Sequence, residues 1–141
     1  MAIKIFNFPD RLKGNEEQWT ALTEDLIKAV QLNPETLNVI FTNDSTLKEM
    51  HERYLNDPSE TDVITFNLGD EDKIEGEIYI SIDQAVRQAA EFAVSAEEEV
   101  LRLIAHGLLH LKGFDDLQEE ARREMKEHED RLVQQFRERL K

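Results

Sequence analysis

The feature that most constrains this chain is an apolar run with two histidines four residues apart, Leu103-Ile104-Ala105-His106-Gly107-Leu108-Leu109-His110-Leu111-Lys112-Gly113-Phe114-Asp115-Asp116. In an α-helix that spacing puts both imidazoles on one face, one turn apart. Two nitrogens so placed can bind one metal ion from the same side. Gly113 can end the helix and reverse the chain, because glycine tolerates the left-handed backbone of a helix C-terminus. The reversal returns Asp115 and Asp116 toward the histidines. Two nitrogens and one carboxylate oxygen leave a fourth tetrahedral position open, the pattern of a catalytic zinc site. The plain alternative for one histidine on an apolar helix is a core residue with a satisfied ring; the pair, the glycine and the aspartates together favour a metal. Gly107 stands where the helix of a zinc peptidase carries its general-base glutamate, which argues against peptide hydrolysis by that route.

His106-Gly107-Leu108-Leu109-His110-Leu111-Lys112-Gly113-Phe114-Asp115-Asp116 resembles the signature of the YbeY family, H-G-x-L-H-L-x-G-[YF]-D-H, from His106 through Asp115. Thr61-Asp62-Val63-Ile64-Thr65-Phe66 resembles its T-[DN]-V-L-S-F block, and Gly76-Glu77-Ile78-Tyr79-Ile80-Ser81 its G-[DE]-I-x-I-S block. The order and spacing of the blocks agree over most of the chain. The resemblance implies a bacterial metal-dependent endoribonuclease with one zinc ion per chain. Its implied substrate is single-stranded ribosomal RNA, in small-subunit 3′-end maturation and ribosome quality control. It also implies small-subunit ribosomal proteins or a ribosome-associated GTPase as partners, and no action on DNA.

The chain departs from the pattern twice. Asp116 replaces the third histidine, so the ligand set becomes His106, His110 and Asp116, with Asp115 free to orient a ligand or polarise water; the converse assignment of the two aspartates is also open. A carboxylate in that place brings a negative charge and weakens the fall in a bound water's pKa relative to three neutral histidines. Tyr54 is followed by Leu55 where the family often has an arginine. Arg53, or an arginine elsewhere, would have to clamp phosphate. His106, His110, Asp115 and Arg53 are therefore the expected catalytic residues.

Net charge is −14 over 141 residues, awkward for a protein that meets RNA, since phosphate binding ordinarily rests on clustered Lys and Arg. The segment from Leu117 onward holds seven acidic and seven basic residues, so the excess lies upstream. Delivery of the RNA by a protein partner would relieve the problem. The charge and the missing arginine keep two rivals in play: a ribosome-associated factor that has kept its metal for structure, and a metal-dependent hydrolase of another substrate. With no cysteine, thiolate ligands and thiol catalysis are excluded, and a reducing cytoplasm fits. No basic-then-apolar leader or long apolar run is seen, so neither export nor membrane insertion is expected.

The length fits one domain spanning 1–141. Alternation predicts strands at 2–8, 36–42, 63–66 and 77–80, the third nearly all apolar and so expected to be central. The short acidic loop before the fourth strand predicts an antiparallel pair. Helical spacing predicts helices over 16–32, from Asn43-Asp44-Ser45 to about Tyr54, from Ser81 through Ala93, from Ser95 through the histidines, and from about Leu117 to Leu140. The expected fold class is α+β: one four-stranded mixed sheet packed with about five helices. His128 reads as a packing histidine, His51 as solvated, and Asp70-Glu71-Asp72 as a solvated loop; Asp62 reads equally as a strand-start turn or a carboxylate at the end of the sheet, where ligand sites tend to lie.

Overall fold

The computed structural model describes residues 1–59 and 61–141. Four strands, β1 (Ala2–Phe6), β2 (Thr36–Thr42), β3 (Val63–Asn67) and β4 (Glu75–Ser81), form one sheet in the order β1-β2-β4-β3. β1 runs parallel to β2 and β2 to β4, while β3 is antiparallel to β4. Five α-helices lie among the described residues: α1 (Glu16–Ala29), α2 (Asp44–Leu55), α3 (Ile82–Glu91), α4 (Ala96–Lys112) and α5 (Glu119–Phe136). A 3₁₀ turn, Arg137–Leu140, follows α5. The expected mixed sheet with about five helices is the one observed.

Local chemistry sets the boundaries. Asn15 and Gln18 form a reciprocal capping box at the start of α1. Asn43, Ser81 and Ser95 each accept a hydrogen bond from the backbone N–H three residues on, at the starts of α2, α3 and α4. Such a cap satisfies a donor that the first helical turn leaves unpaired. α4 ends at Gly113, whose φ of 116° is left-handed. The helix expected over 16–32 stops at Ala29, and that expected through Ala93 stops at Glu91, because Gln31 and Ala93 take positive φ and turn the chain. The last helix begins at Glu119 rather than Leu117. Asp115 Oδ1 accepts from the Leu117 N–H at 3.3 Å, holding that backbone in a turn and leaving Leu117 83% exposed.

One expectation is corrected by the sheet order. β3 is an edge strand, not a central one. Its apolar sequence arises because both faces are covered: α4 packs on one, α2 on the other. Ile64 is buried, and Phe66 meets Tyr54 of α2 edge-to-face with ring centroids 5.8 Å apart.

α4 is the spine of the fold. Of its expected stripe, Val100, Leu103, Ile104, Gly107 and Leu108 are buried and Leu111 is half-buried, and Leu101, Ala105 and Leu109 are buried as well. A helix apolar nearly all round is one enclosed by neighbours. It lies close on β4, and two glycines make that possible. A Cβ at Gly107 would stand 2.7 Å from Ile78 Cδ1, and one at Gly76 would stand 2.6 Å from Leu111 Cδ1. Gly107 thus faces the sheet and leaves His106 and His110 free to point elsewhere.

Candidate metal centre

His106 and His110 leave α4 on the side toward the end of the sheet, and the Gly113 reversal carries Asp116 back to them. Their Nε2 atoms are 3.0 Å apart. Asp116 Oδ2 lies 3.5 Å from His106 Nε2 and 3.7 Å from His110 Nε2. A tetrahedral zinc with bonds of about 2.0–2.2 Å separates its ligand atoms by about 3.3 Å. The triangle has the size such an ion requires, and these three residues could hold a metal. Asp115, by contrast, is exposed and turns its carboxylate to the Leu117 N–H. Of the two aspartates it is Asp116 whose carboxylate is placed beside the histidines, while Asp115 shapes the turn that presents it.

The donor chemistry supports the same reading. The His106 Nδ1–H donates to Glu129 Oε2 at 2.5 Å, and the His110 Nδ1–H donates to the Phe114 carbonyl at 3.1 Å. Both partners are acceptors, so each Nδ1 carries the hydrogen. In the neutral rings both Nε2 lone pairs then converge, at 3.0 Å, beside a carboxylate. Such an arrangement needs a cation between its members, either a metal or a proton. Burial opposes protonation of His106, but the carboxylates of Glu129, Asp116 and Asp62 outweigh it and hold its pKa above the ordinary histidine value. Burial and the neighbouring His106 push His110 down.

Glu129 is the residue that the sequence reading missed. It reaches His106 from α5 and is 8% exposed. Arg102 neutralises it at 3.4 Å and also pairs with Asp130 at 2.8 Å. A carboxylate behind a metal-binding imidazole fixes its tautomer and raises its basicity. Glu129→Gln is therefore expected to lower metal affinity by about 10–100-fold while leaving the fold intact. Competition against a chromophoric chelator, beside a circular-dichroism melt, measures both.

Two clefts meet at the triad. The first, about 700 Å³, lies between α3, α4 and α5 and is lined by Gln88, Phe92, Glu99, Arg102, Arg122 and Lys126 as well as His106 and Asp116. The second, about 590 Å³, adds His110, His51, Leu55, Thr65, Asn67 and Leu117. Asp62 lines both, so of its two readings the one at the end of the sheet describes its place. The Gln88 side-chain amide donates to Asp62 Oδ2 at 3.0 Å and to Glu99 Oε2 at 2.7 Å, tying the two carboxylates together.

Glu99 is 3% exposed, and burial raises its pKa, against opposing pulls from Gln88 and Arg102. A carboxylate whose folded pKa exceeds its unfolded one is neutral toward stability below the unfolded value. It costs stability progressively as pH rises through the window between the two, and fully above it. Glu99→Gln is thus expected to raise the melting temperature relative to wild type more at pH 8 than at pH 4. Melting curves at the two pH values test the sign.

Other candidates fall elsewhere. Arg53 is 66% exposed, pairs with Glu49 at 3.6 Å and lines neither cleft. His51 was expected in solvent, yet its side chain is only 14% exposed. Its Nδ1 donates to the Ser59 carbonyl at 2.9 Å, because the loop after α2 folds back over the helix through left-handed Asn56. His128 packs on Phe114 with ring centroids 4.5 Å apart and the planes tilted by 56°, in keeping with a packing role. Asp70 accepts from the N–H groups of Asp72 and Lys73 and so forms a turn in an exposed loop, in keeping with the solvated reading of that run. Lys112 donates to the Gln31 carbonyl. No helix among the described residues is long and apolar enough to cross a membrane.

The chain was compared with known proteins. The family model described as Endoribonuclease YbeY matches residues 4–137. Among curated relatives, an Endoribonuclease YbeY of Chlorobium phaeobacteroides is 32% identical over 96% of this chain and 98% of its own length. One of Aquifex aeolicus is 42% identical over 73% of this chain and 69% of its own. Among solved structures, the solution structure of a Thermotoga maritima protein superposes with a TM-score of 0.63 at 26% identity, covering 96% of this chain and 92% of that one.

Proposed function

The chain belongs to the endoribonuclease YbeY family, and on that premise we propose that it is a zinc-dependent, single-strand-specific endoribonuclease of ribosomal RNA. The observation that carries the reading is the convergence of two histidine Nε2 atoms and the Asp116 carboxylate on one point between two clefts. In this reading the RNA is the precursor of the small-subunit ribosomal RNA, the work is 3′-end maturation and ribosome quality control, and the setting is the cytoplasm. Small-subunit ribosomal proteins or a ribosome-associated GTPase would bring so acidic a protein to its substrate.

His106, His110 and Asp116 would hold the ion, which when bound supplies a Lewis acid for a phosphoryl oxygen and a water of lowered pKa. The chain's own groups prepare that chemistry. Glu129 and the Phe114 carbonyl hold the two imidazoles in the tautomer that presents Nε2. Asp116 adds a negative charge, so the ligand set is less electrophilic than three histidines. The Gln88 amide holds Asp62 at the junction of the clefts, where a carboxylate can accept a proton from a nucleophile. That nucleophile is either water or the RNA's own 2′-hydroxyl.

Cleavage of a single-stranded RNA by the purified protein, beside His110→Ala prepared in parallel, tests the proposal. The expected outcome is a loss of at least about a thousandfold in the variant, with its fold retained by circular dichroism. Equal activity in the two preparations would make the cleavage a contaminant's. An unfolded variant would favour the structural-metal reading.

A further inference from the structure

The substrate reading leaves open what on this chain holds a polyanion, since Arg53 lies outside both clefts and Leu55 stands where a cation was expected. We propose that Arg122 and Lys126 on α5, with Phe92 after α3, form the binding wall for one arm of a single-stranded RNA, on the α5 side of the metal centre alone. This rests on the ribonuclease reading and adds to it a place and a polarity.

Arg122 and Lys126 are four apart, so one face of α5 presents both, a turn from each other. Both are exposed and both line the first cleft, together with His106 and Asp116. Neither pairs with an acidic side chain among the described residues, whereas Arg123 beside them pairs with Glu119 and lies outside the cleft. The acidic floor of that cleft is engaged internally. Glu129 accepts from His106, Asp130 pairs with Arg102, and Glu99 and Asp62 share the Gln88 amide. Glu98 is the exception. The rim cations are therefore the groups available to a phosphate. Phe92 lines the same cleft and is 60% exposed, so its ring is accessible to a ligand in that cleft. Cations that track a backbone beside an exposed aromatic face make a site for an unpaired strand, because a base already stacked in a duplex offers no free face to the ring. Among the described residues, the second cleft has no Lys or Arg in its lining. The grip on the strand is consequently one-sided.

The test is fluorescence anisotropy with a 5′-labelled, 2′-O-methylated single-stranded RNA, titrated at several salt concentrations, with the oligomer checked for integrity by gel. Arg122→Gln/Lys126→Gln is expected to bind about tenfold or more weakly at low salt. Its slope of log affinity against log salt should flatten by about 1.4, which is two single-strand phosphate contacts. Phe92→Ala should weaken binding about tenfold with the slope unchanged. Arg123→Gln/Arg131→Gln, which removes the same charge from other faces of α5, should bind as wild type. An unaltered affinity in the first pair, or an equal loss in the control pair, overturns the proposal. Wild-type protein that binds and cleaves RNA alongside a neutral first pair leaves the ribonuclease reading standing without this wall. Wild type that neither binds nor cleaves removes both.

Discussion

Asp116→Asn protein will bind zinc at least about a hundredfold more weakly than wild type, and its RNA cleavage will fall by a similar or larger factor. The substitution keeps the shape of the side chain and removes its charge. The neutral amide oxygen is a poor zinc ligand, and the two Nε2 lone pairs, 3.0 Å apart, lose the carboxylate that lies 3.5 and 3.7 Å from them. Asp115→Asn is the matched comparison. Its Oδ1 serves the Leu117 N–H, a bond an asparagine can still accept, so metal affinity should change by less than about threefold. Titration of both variants against a chromophoric chelator separates the two neighbouring aspartates. Equal losses would mean that the turn, not the ligand, is what Asp116 supplies.

Gly107→Glu, the change that would restore the sequence of a zinc-peptidase helix, is expected to abolish folding rather than to confer peptidase activity. A Cβ at this position meets Ile78 Cδ1, Cγ1 and Cγ2 at 2.7, 2.9 and 3.0 Å. Ile78 is fully buried and cannot withdraw. Overpacking of this kind costs about 1–3 kcal/mol, and an unpaired carboxylate buried against the sheet adds several kcal/mol more. The sum approaches the whole stability of a typical domain, about 5–15 kcal/mol. Gly107→Ala isolates the steric part. Its clash is offset by about 1 kcal/mol of gained helix propensity, leaving a net loss of about 1 kcal/mol. Combined with Ile78→Ala, Gly107→Ala should cost less than it does alone, since the methyl then has room. Chemical denaturation of the alanine variants and circular dichroism of the glutamate variant measure these effects.

These expectations show where the sequence was legible. The triad was readable because its members fall within eleven residues. Helical period places His106 over His110, and Gly113 ends the helix where Asp116 can return. The antiparallel β3–β4 pair was readable from the short loop between the strands. Glu129 was not readable in the same way, since α5 meets α4 only through tertiary packing. A faint signal did exist. Glu129 lies four after Met125 and three before Leu132, on the buried stripe of α5, and a carboxylate on such a stripe must have a partner. The central position given to β3 failed because an apolar strand records covered faces, not paired edges, and α2 and α4 cover this edge strand. Arg53 is near the position of the missing arginine in sequence, but helical geometry turns it toward Glu49. The cations that do line the cleft, Arg122 and Lys126, sit in a helix with six acidic and four basic residues, whose composition carries no sign of them.

The most direct measurement is cleavage of a single-stranded RNA by wild-type protein before chelation, after removal of metal, and after its return, with metal content determined at each stage. The account predicts that cleavage disappears with the metal and returns as about one zinc per chain is restored, with the protein folded throughout. Undiminished cleavage by protein shown to contain no metal would contradict it.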